Sequence, residues 1–399
     1  MQYDTEKQRK ALFLTSRLPY PPNRGDRVRT YFLLQEFCRH YSVTLLCLYS
    51  DKAELQYIHY LQNFCAKLKL IHHSSLQGLW NVIVGLFTKT PFQVCYYKNR
   101  KFRKEIRQEL NENHYTVIYT HLIRLVPYVL ADKDCYKILD YTDCISMEYR
   151  RSLYCRKFPA KLFFTWEAGR TAAYEQAVMT FFNERWVISP VDFKTLKLNE
   201  QSASFIIPNP VNLCENDKNY SLNYRLIFVG NMSVPHNIYA ANYVASEIMP
   251  ELIKEFPTLS FHIIGANPVN SIKALSGKNN TFVLGYVRDL YNELLASDIF
   301  IAPMFFCAGI QNKLLEAMAC GVPVVTTPEV ADSLDCIHNN ELLVATDRVT
   351  FVNNCLLLLQ DNVLREAIGQ KAKQKIKEYY SHDKIHSLLE QRFIEIDMA

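Results

Sequence analysis

Gly309-Ile310-Gln311-Asn312-Lys313-Leu314-Leu315-Glu316-Ala317-Met318-Ala319-Cys320-Gly321-Val322-Pro323-Val324-Val325 reads as a glycine-containing loop, a short helix, a glycine stop and a buried strand. The first backbone N–H groups of a helix have no internal partner and carry the positive end of its dipole, so the loop and helix start suit an anion. Glu316 falls in the middle of that helix, placed to accept hydrogen bonds from a pair of sugar hydroxyls. The plainer alternative is a solvated residue paired with Lys313 at i,i+3. The residues alone leave both open.

Outward from this stretch, short apolar strands alternate with helical patterns. Arg225–Val229, Leu259–Ile264, Thr281–Leu284, Ile299–Ala302, Val322–Thr326 and Leu342–Ala345 read as strands, and the tail from Asp361 to Ile396 as charged helix. Ile207-Pro208-Asn209-Pro210-Val211-Asn212, leading to Ser221, is polar and proline-containing and reads as a linker. Before it the alternation repeats, with strands at Ala11–Thr15, Val43–Tyr49, Lys67–Ile71, Val117–Thr120, Tyr136–Asp140 and Trp186–Ser189. Pro19, Pro21, Pro22 and Gly25 force a loop after the first strand, and Asp26 is expected to cap a helix from about Arg27 to His40 with Val28, Phe32, Leu33 and Phe37 on one face. Near-continuous Val/Ile/Leu strands separated by helices predict parallel sheets covered on both faces. The expected fold is therefore α/β, with two Rossmann-like domains at 1–207 and 223–375, a linker at 208–222, and a final helical segment at 376–399. Ligands of such sheets bind outside the carboxyl ends of the strands, and with two of them the site is expected in a cleft between the domains.

Composition narrows the partners. A chain of 399 residues that is 49% hydrophobic and 21% charged is long and apolar enough for two or three cored domains. The net charge of +5 comes without a recognisable nucleic-acid module, so nucleic acid is not an expected partner. The basic run Lys98-Asn99-Arg100-Lys101-Phe102-Arg103-Lys104, followed by Arg107, and the run Tyr149-Arg150-Arg151 with Arg156 and Lys157 read first as solvated helix faces. Peripheral contact with an anionic membrane is the alternative. The apolar part Leu79–Phe87 is too short to span a bilayer. A core-facing helix is expected there, the alternative being an amphipathic helix resting on a membrane with Trp80 and Phe87 as anchors. Twelve cysteines without a CxxC pair argue against a zinc site, and the polar start Met1–Lys10 carries no signal-peptide pattern. The expectation is a cytoplasmic protein with reduced thiols, at most peripheral at the inner face of the plasma membrane.

Leu315-Glu316-Ala317-Met318-Ala319-Cys320-Gly321-Val322-Pro323-Val324-Val325 resembles the signature of family 4 glycosyltransferases, retaining sugar transferases with the GT-B fold. The resemblance covers most of the chain and is specific mainly from about Phe228 to Val325. It implies two Rossmann-like domains facing across a cleft, an N-terminal one for the acceptor and a C-terminal one for a nucleotide diphosphate sugar, with the last helix crossing back. It also implies a metal-independent hexosyltransferase that needs no cofactor beyond its donor substrate. The variant Val229-Gly230-Asn231-Met232 with Pro235-His236-Asn237 resembles a subgroup associated with surface-polysaccharide synthesis, so the implied acceptor is a glycan or a lipid-linked glycan.

Residue by residue, the resemblance places Glu316 on the ribose or the sugar and Lys313 on the diphosphate, with Gly230, Asn231, Gly309, Ile310 and Asn312 where backbone and donor come close. Glycine suits such an approach because it lacks a Cβ. Leu284-Gly285-Tyr286-Val287-Arg288-Asp289-Leu290 resembles the loop that holds the nucleobase through backbone groups, which assigns Tyr286 and Val287; a strand-end turn capped by Asp289 is the plainer account. In the first domain Arg24-Gly25-Asp26-Arg27 stands where the family has a glycine-rich loop, so Arg24, Gly25 and Arg27 are candidate anion contacts. His121 matches a family histidine at the donor sugar, and Asp140 and Asp143 either orient an acceptor hydroxyl or cap the next helix. Asp132-Lys133-Asp134 has the DxD metal pattern but precedes a strand, and is read as coincidence. The family's earlier Glu falls at position 308, where this chain has Ala308. Two readings follow: an active enzyme of a divergent subgroup, or a non-catalytic nucleotide-sugar-binding partner of a polysaccharide assembly.

Overall fold

The computed structural model describes residues 9–22, 25–131, 135–216, 218, 224–306 and 310–398. Arg24, Asp132, Lys133, Asp134, Ala308, Gly309 and positions 217 and 219–222 of the expected linker lie outside them. The chain divides into two compact units, Met1–Asn209 with His386–Ala399, and Pro210–Ile385.

The first unit is a seven-stranded sheet: β1 (Lys10–Thr15), β2 (Ser42–Tyr49), β3 (Lys67–His72), β4 (Val117–His121), β5 (Tyr136–Thr142), β6 (Glu184–Val187) and β7 (Ser204–Ile206), in the order β3-β2-β1-β4-β5-β6-β7. All neighbours are parallel. The covering helices are α1 (Gly25–His40), α2 (Ser75–Gly85), α3 (Phe92–Tyr96), α4 (Arg100–Glu112), α5 (Ile145–Ser152) and α6 (Ala160–Val178). The strand runs are buried almost end to end, as sheets covered on both faces require.

The second unit repeats the design with β8 (Arg225–Val229), β9 (Ser260–Ile264), β10 (Thr281–Gly285), β11 (Ile299–Ala302), β12 (Val324–Thr326) and β13 (Leu343–Val344), in the order β10-β9-β8-β11-β12-β13. Its helices include α7 (Pro235–Tyr243), α8 (Asn312–Ala319), α9 (Arg348–Gln360) and α10 (Asn362–Tyr379). The last helix, α11 (His382–Met398), carries the chain back into the first unit. There Phe393 packs on Phe37 at 4.8 Å, Tyr41 Oη donates to Asp397 Oδ1 at 3.0 Å, and Arg392 is paired with the fully buried Glu184.

In both sheets the chain winds outward on one side, then crosses to the other, so the switch points fall between β1 and β4 and between β8 and β11. Loops leaving those strands at their carboxyl ends are the ones a ligand meets.

Three local expectations are corrected. Helix α1 begins at Gly25, so Asp26 is inside its first turn and pairs with Arg17 at 2.9 Å instead of serving as the N-cap; Val28 and Phe32 are only half-buried, while Arg29 and Glu36 take buried positions. Strand β7 went unread because three residues beside a proline-rich segment carry no periodicity. Helix α2 is not core-facing: Leu76, Trp80 and Leu79 are 81%, 65% and 57% exposed, and Phe87 just beyond it is 89% exposed.

Candidate functional site

The second unit's switch point is framed by two loops. The first follows β8, where Gly230-Asn231-Met232 is tied to the neighbouring strand end: Gly230 N–H donates to Ile264 O at 3.0 Å and Met232 N–H to Ala266 O at 2.9 Å. Asn231 Oδ1 accepts from Ser233 N and Oγ at 3.1 and 2.8 Å, and Asn237 Nδ2 donates to Asn231 O at 3.0 Å. A Cβ on Gly230 would stand 2.7 Å from the Asn237 side chain, so the glycine is required by internal packing, whatever approaches from outside.

The second loop follows β11. Thr326 Oγ1 donates to Ala302 O at 2.8 Å and Thr327 Oγ1 to Met304 O at 3.2 Å, which fixes the loop's start. Phe306 packs edge-on against Tyr239 of α7 at 5.1 Å and Phe305 against Tyr243 at 5.4 Å, so the two loops are held side by side. The second leads through Ile310, half-buried against the core, into α8. No side chain caps α8 at Gln311, and Asn312 Oδ1 is buried without a hydrogen-bond partner. In the same turn Lys313 Nζ lies 2.8 and 3.0 Å from the carboxylate oxygens of Glu316, one turn on, with Lys313 about half exposed. Without a ligand, then, the pair is the i,i+3 ion pair of the plainer reading. It is also a cation and a carboxylate stored on the outer face of a helix whose other face, Leu314, Leu315, Ala317 and Met318, is buried.

Gly265 was missed in the sequence and is central here. Its φ is +146°, its N–H donates to Gly285 O at 2.7 Å, and a Cβ on it would lie 1.7 Å from Gly230 O. Glycines thus close three successive strand ends, Gly230 after β8, Gly265 after β9 and Gly285 in β10; the close approach is of Gly265 to Gly230, while Gly285, with φ +70°, has open space where a Cβ would stand. The readable signal was an apolar strand ending in glycine three times over. Beyond Gly285, Tyr286 is 76% exposed and Val287 half-buried, while Asp289 Oδ1 caps the following helix by accepting from Asn292 N at 3.1 Å. His236, read in the sequence only as part of the Pro235-His236-Asn237 variant, stands in the first turn of α7; burial pushes its imidazole down to about 4, so it is neutral at pH 7.

The remaining candidates, Gly25 and His121, belong to the first unit. Gly25 opens α1. Arg27 is turned inward and paired with Glu54, which removes it as a free anion contact. His121 ends β4, is buried, and has an unpartnered Nε2. Burial lowers its pKa to about 4; Asp140 and Asp26 oppose the shift and Arg124 reinforces it. Burial also resists ionisation of Asp26, but Arg17, His121 and Arg124 together hold it below the usual carboxylate range. Asp140 does not cap a helix: Arg29 grips it through Nε and Nη2 at 2.7 and 3.0 Å, and Tyr119 Oη and Thr142 N also donate to it. Asp143 Oδ1 is buried without a partner, and burial with Asp192 and Glu148 nearby pushes its carboxyl well above the usual range.

The His121 shift predicts an acid-sensitive first unit. Between about 6.5 and about 4 the unfolded chain binds a proton that the folded one does not, so stability falls as pH drops through that window. Urea midpoints for wild type and His121→Asn should converge toward pH 4; parallel curves would show that His121 does not set the acid limb.

Residues 223–361 match the family described as Glycosyl transferases group 1. A Klebsiella pneumoniae protein of the cps region is 22% identical over 394 residues, covering 95% of this chain and 98% of its own length. Among solved structures, sucrose-phosphate synthase from Thermosynechococcus elongatus superposes with a TM-score of 0.70 at 11% identity, over 98% of this chain and 100% of that one. Anabaena HepE in complex with UDP gives 0.64 at 12% identity, over 97% and 100%. The fold is GT-B, and the match over β8 to α9 supports a glycosyltransferase.

Proposed function

We propose that this protein is a retaining glycosyltransferase of family 4 type that moves a sugar from a nucleotide diphosphate donor to a glycan or lipid-linked acceptor in surface-polysaccharide synthesis. The observation that carries the reading is the Lys313–Glu316 pair on α8, beside the glycine-closed strand ends of a unit that matches Glycosyl transferases group 1. A diphosphate arriving at the start of α8, where no side chain caps the helix, meets its first-turn backbone N–H groups and the positive dipole end. Lys313 is free to rotate from Glu316 toward the leaving diphosphate, where a cation stabilises the charge that develops as the sugar departs. Glu316, released, accepts hydrogen bonds from ribose or sugar hydroxyls. In this reading the diphosphate is met by Lys313 and the helix start, and no metal is required. HepE was crystallised with UDP, and the Klebsiella relative lies in a cps region; both favour a nucleotide-sugar donor and a polysaccharide product.

Thermal unfolding with UDP, GDP and ADP tests the donor site. At about a hundred times its Kd a ligand adds about 2.7 kcal/mol of stability. One nucleotide is expected to raise the midpoint in wild type, and Glu316→Ala to reduce that shift by at least half. No shift with any nucleotide would refute the donor site. A shift without turnover of any donor would favour a non-catalytic binder, the reading that Ala308 supports from the sequence.

A further inference from the structure

Helix α2 is built inside out. Its close-packed face is glycine: a Cβ on Gly78 would lie 2.5 Å from the Tyr96 ring and one on Gly85 2.8 Å from Cys95 Sγ. Its apolar stripe, Leu76, Leu79, Trp80 and Ile83 at i, i+3, i+4 and i+7, points away from the protein, and Phe87 in the turn just past the helix is exposed beside it. Such a stripe normally faces a core, and here none of the described residues covers it.

The patch continues onto a second element. Arg170 donates to Gly85 O and Thr88 O, both at 3.1 Å, and its guanidinium lies over the rings of Phe92 and Trp166 at 4.0 and 4.3 Å. Phe92 stacks on Phe163 at 5.4 Å. This bridge joins the end of α2 to the start of α6, where Phe158 and Leu162 are 83% and 66% exposed. Glu167, which pairs with Arg170, is buried, and the exposed charges of the two segments are of one sign. Residues 73–104 and 149–166 contain no Asp or Glu, and Lys89, Lys157 and Lys161 are exposed among the apolar residues.

We infer that α2 and the start of α6 form a docking surface for an anionic lipid bilayer, the apolar stripe entering the interface and the lysines meeting the headgroups. An apolar helix face flanked only by cations fits a negatively charged, oily boundary. No helix among the described residues is long and apolar enough to cross a membrane, so the attachment is peripheral. The inference gives the lipid-linked acceptor a location but does not rest on transfer.

The test is co-sedimentation of the full chain with phosphatidylcholine vesicles, with and without phosphatidylglycerol. Binding is expected only with the anionic lipid, weakening as salt is added. Trp80→Ser/Phe87→Ser is expected to bind about tenfold more weakly or worse, since each anchor loses the transfer of a large side chain. Lys157→Glu/Lys161→Glu is expected to lose at least about fivefold per cation. All four positions are exposed, and an unchanged melting temperature and an unchanged nucleotide shift show that fold and donor site are intact. Unaltered vesicle binding by both variants would overturn the inference. So would a dimer in sedimentation velocity that Trp80→Ser/Phe87→Ser dissociates, because the patch would then be an interface between two copies.

Discussion

Gly265→Ala is expected to destabilise the second unit by about 2–6 kcal/mol, the sum of about 1–3 for a left-sided backbone angle and about 1–3 for a forced shift of packed neighbours. The added methyl would lie 1.7 Å from Gly230 O, and a backbone oxygen cannot rotate away as a side-chain tip can. The Gly265–Gly285 hydrogen bond would be lost with it, and the loop that carries Asn231 would be displaced. The readout separates the units cleanly. All three tryptophans, Trp80, Trp166 and Trp186, lie in the first unit. Urea unfolding followed by far-ultraviolet circular dichroism should show an earlier transition for the variant, while the tryptophan fluorescence transition stays in place. If both signals keep their wild-type midpoints, the strand ends have room that the geometry denies.

Arg29→Met is expected to cost about 3–5 kcal/mol in the first unit, because it leaves the Asp140 carboxylate buried without its cation. Arg29 and Asp140 are 1% and 0% exposed, and the same guanidinium donates to Ile207 O at 2.6 Å and Asn209 Oδ1 at 3.3 Å. Burial resists ionisation of Asp140, yet Arg29 holds its carboxyl below the ordinary range. The tryptophan transition should therefore move to lower urea, with nucleotide binding preserved in the native baseline. Arg29→Met/Asp140→Leu should recover much of the loss, since apolar residues of similar volume tolerate burial that a lone carboxylate does not. A double variant as weak as the single one would mean that the tie to Ile207 and Asn209, not the charge pair, is what matters.

The layered fold was legible because its central strands, such as β1, β2, β4, β5, β11 and β12, are buried and so read as apolar runs. The Leu315–Val325 signature was legible because helix, stop and strand follow one another locally. What escaped depends on neighbours distant in sequence. The arginine that neutralises Asp140 is 111 positions away, so the sequence offered Asp140 only as an acceptor contact or a cap. Nothing local marked Gly265, whose need for glycine comes from Gly230 O standing against it. The α2 pattern announced an apolar stripe but not its direction, because periodicity is the same whether the stripe faces inward or out. Only the ring of Tyr96 against Gly78 decides that.

The return of α11 to the first unit has a consequence for synthesis. The fully buried Glu184 meets the cation of Arg392, and Phe37, already against Phe13 and Tyr119, gains Phe393, only when those two residues have been made. The segment emerging first from the ribosome therefore waits, incomplete, while the whole second unit is translated. The first unit thus receives its α11 contacts only after every residue of the second has been made.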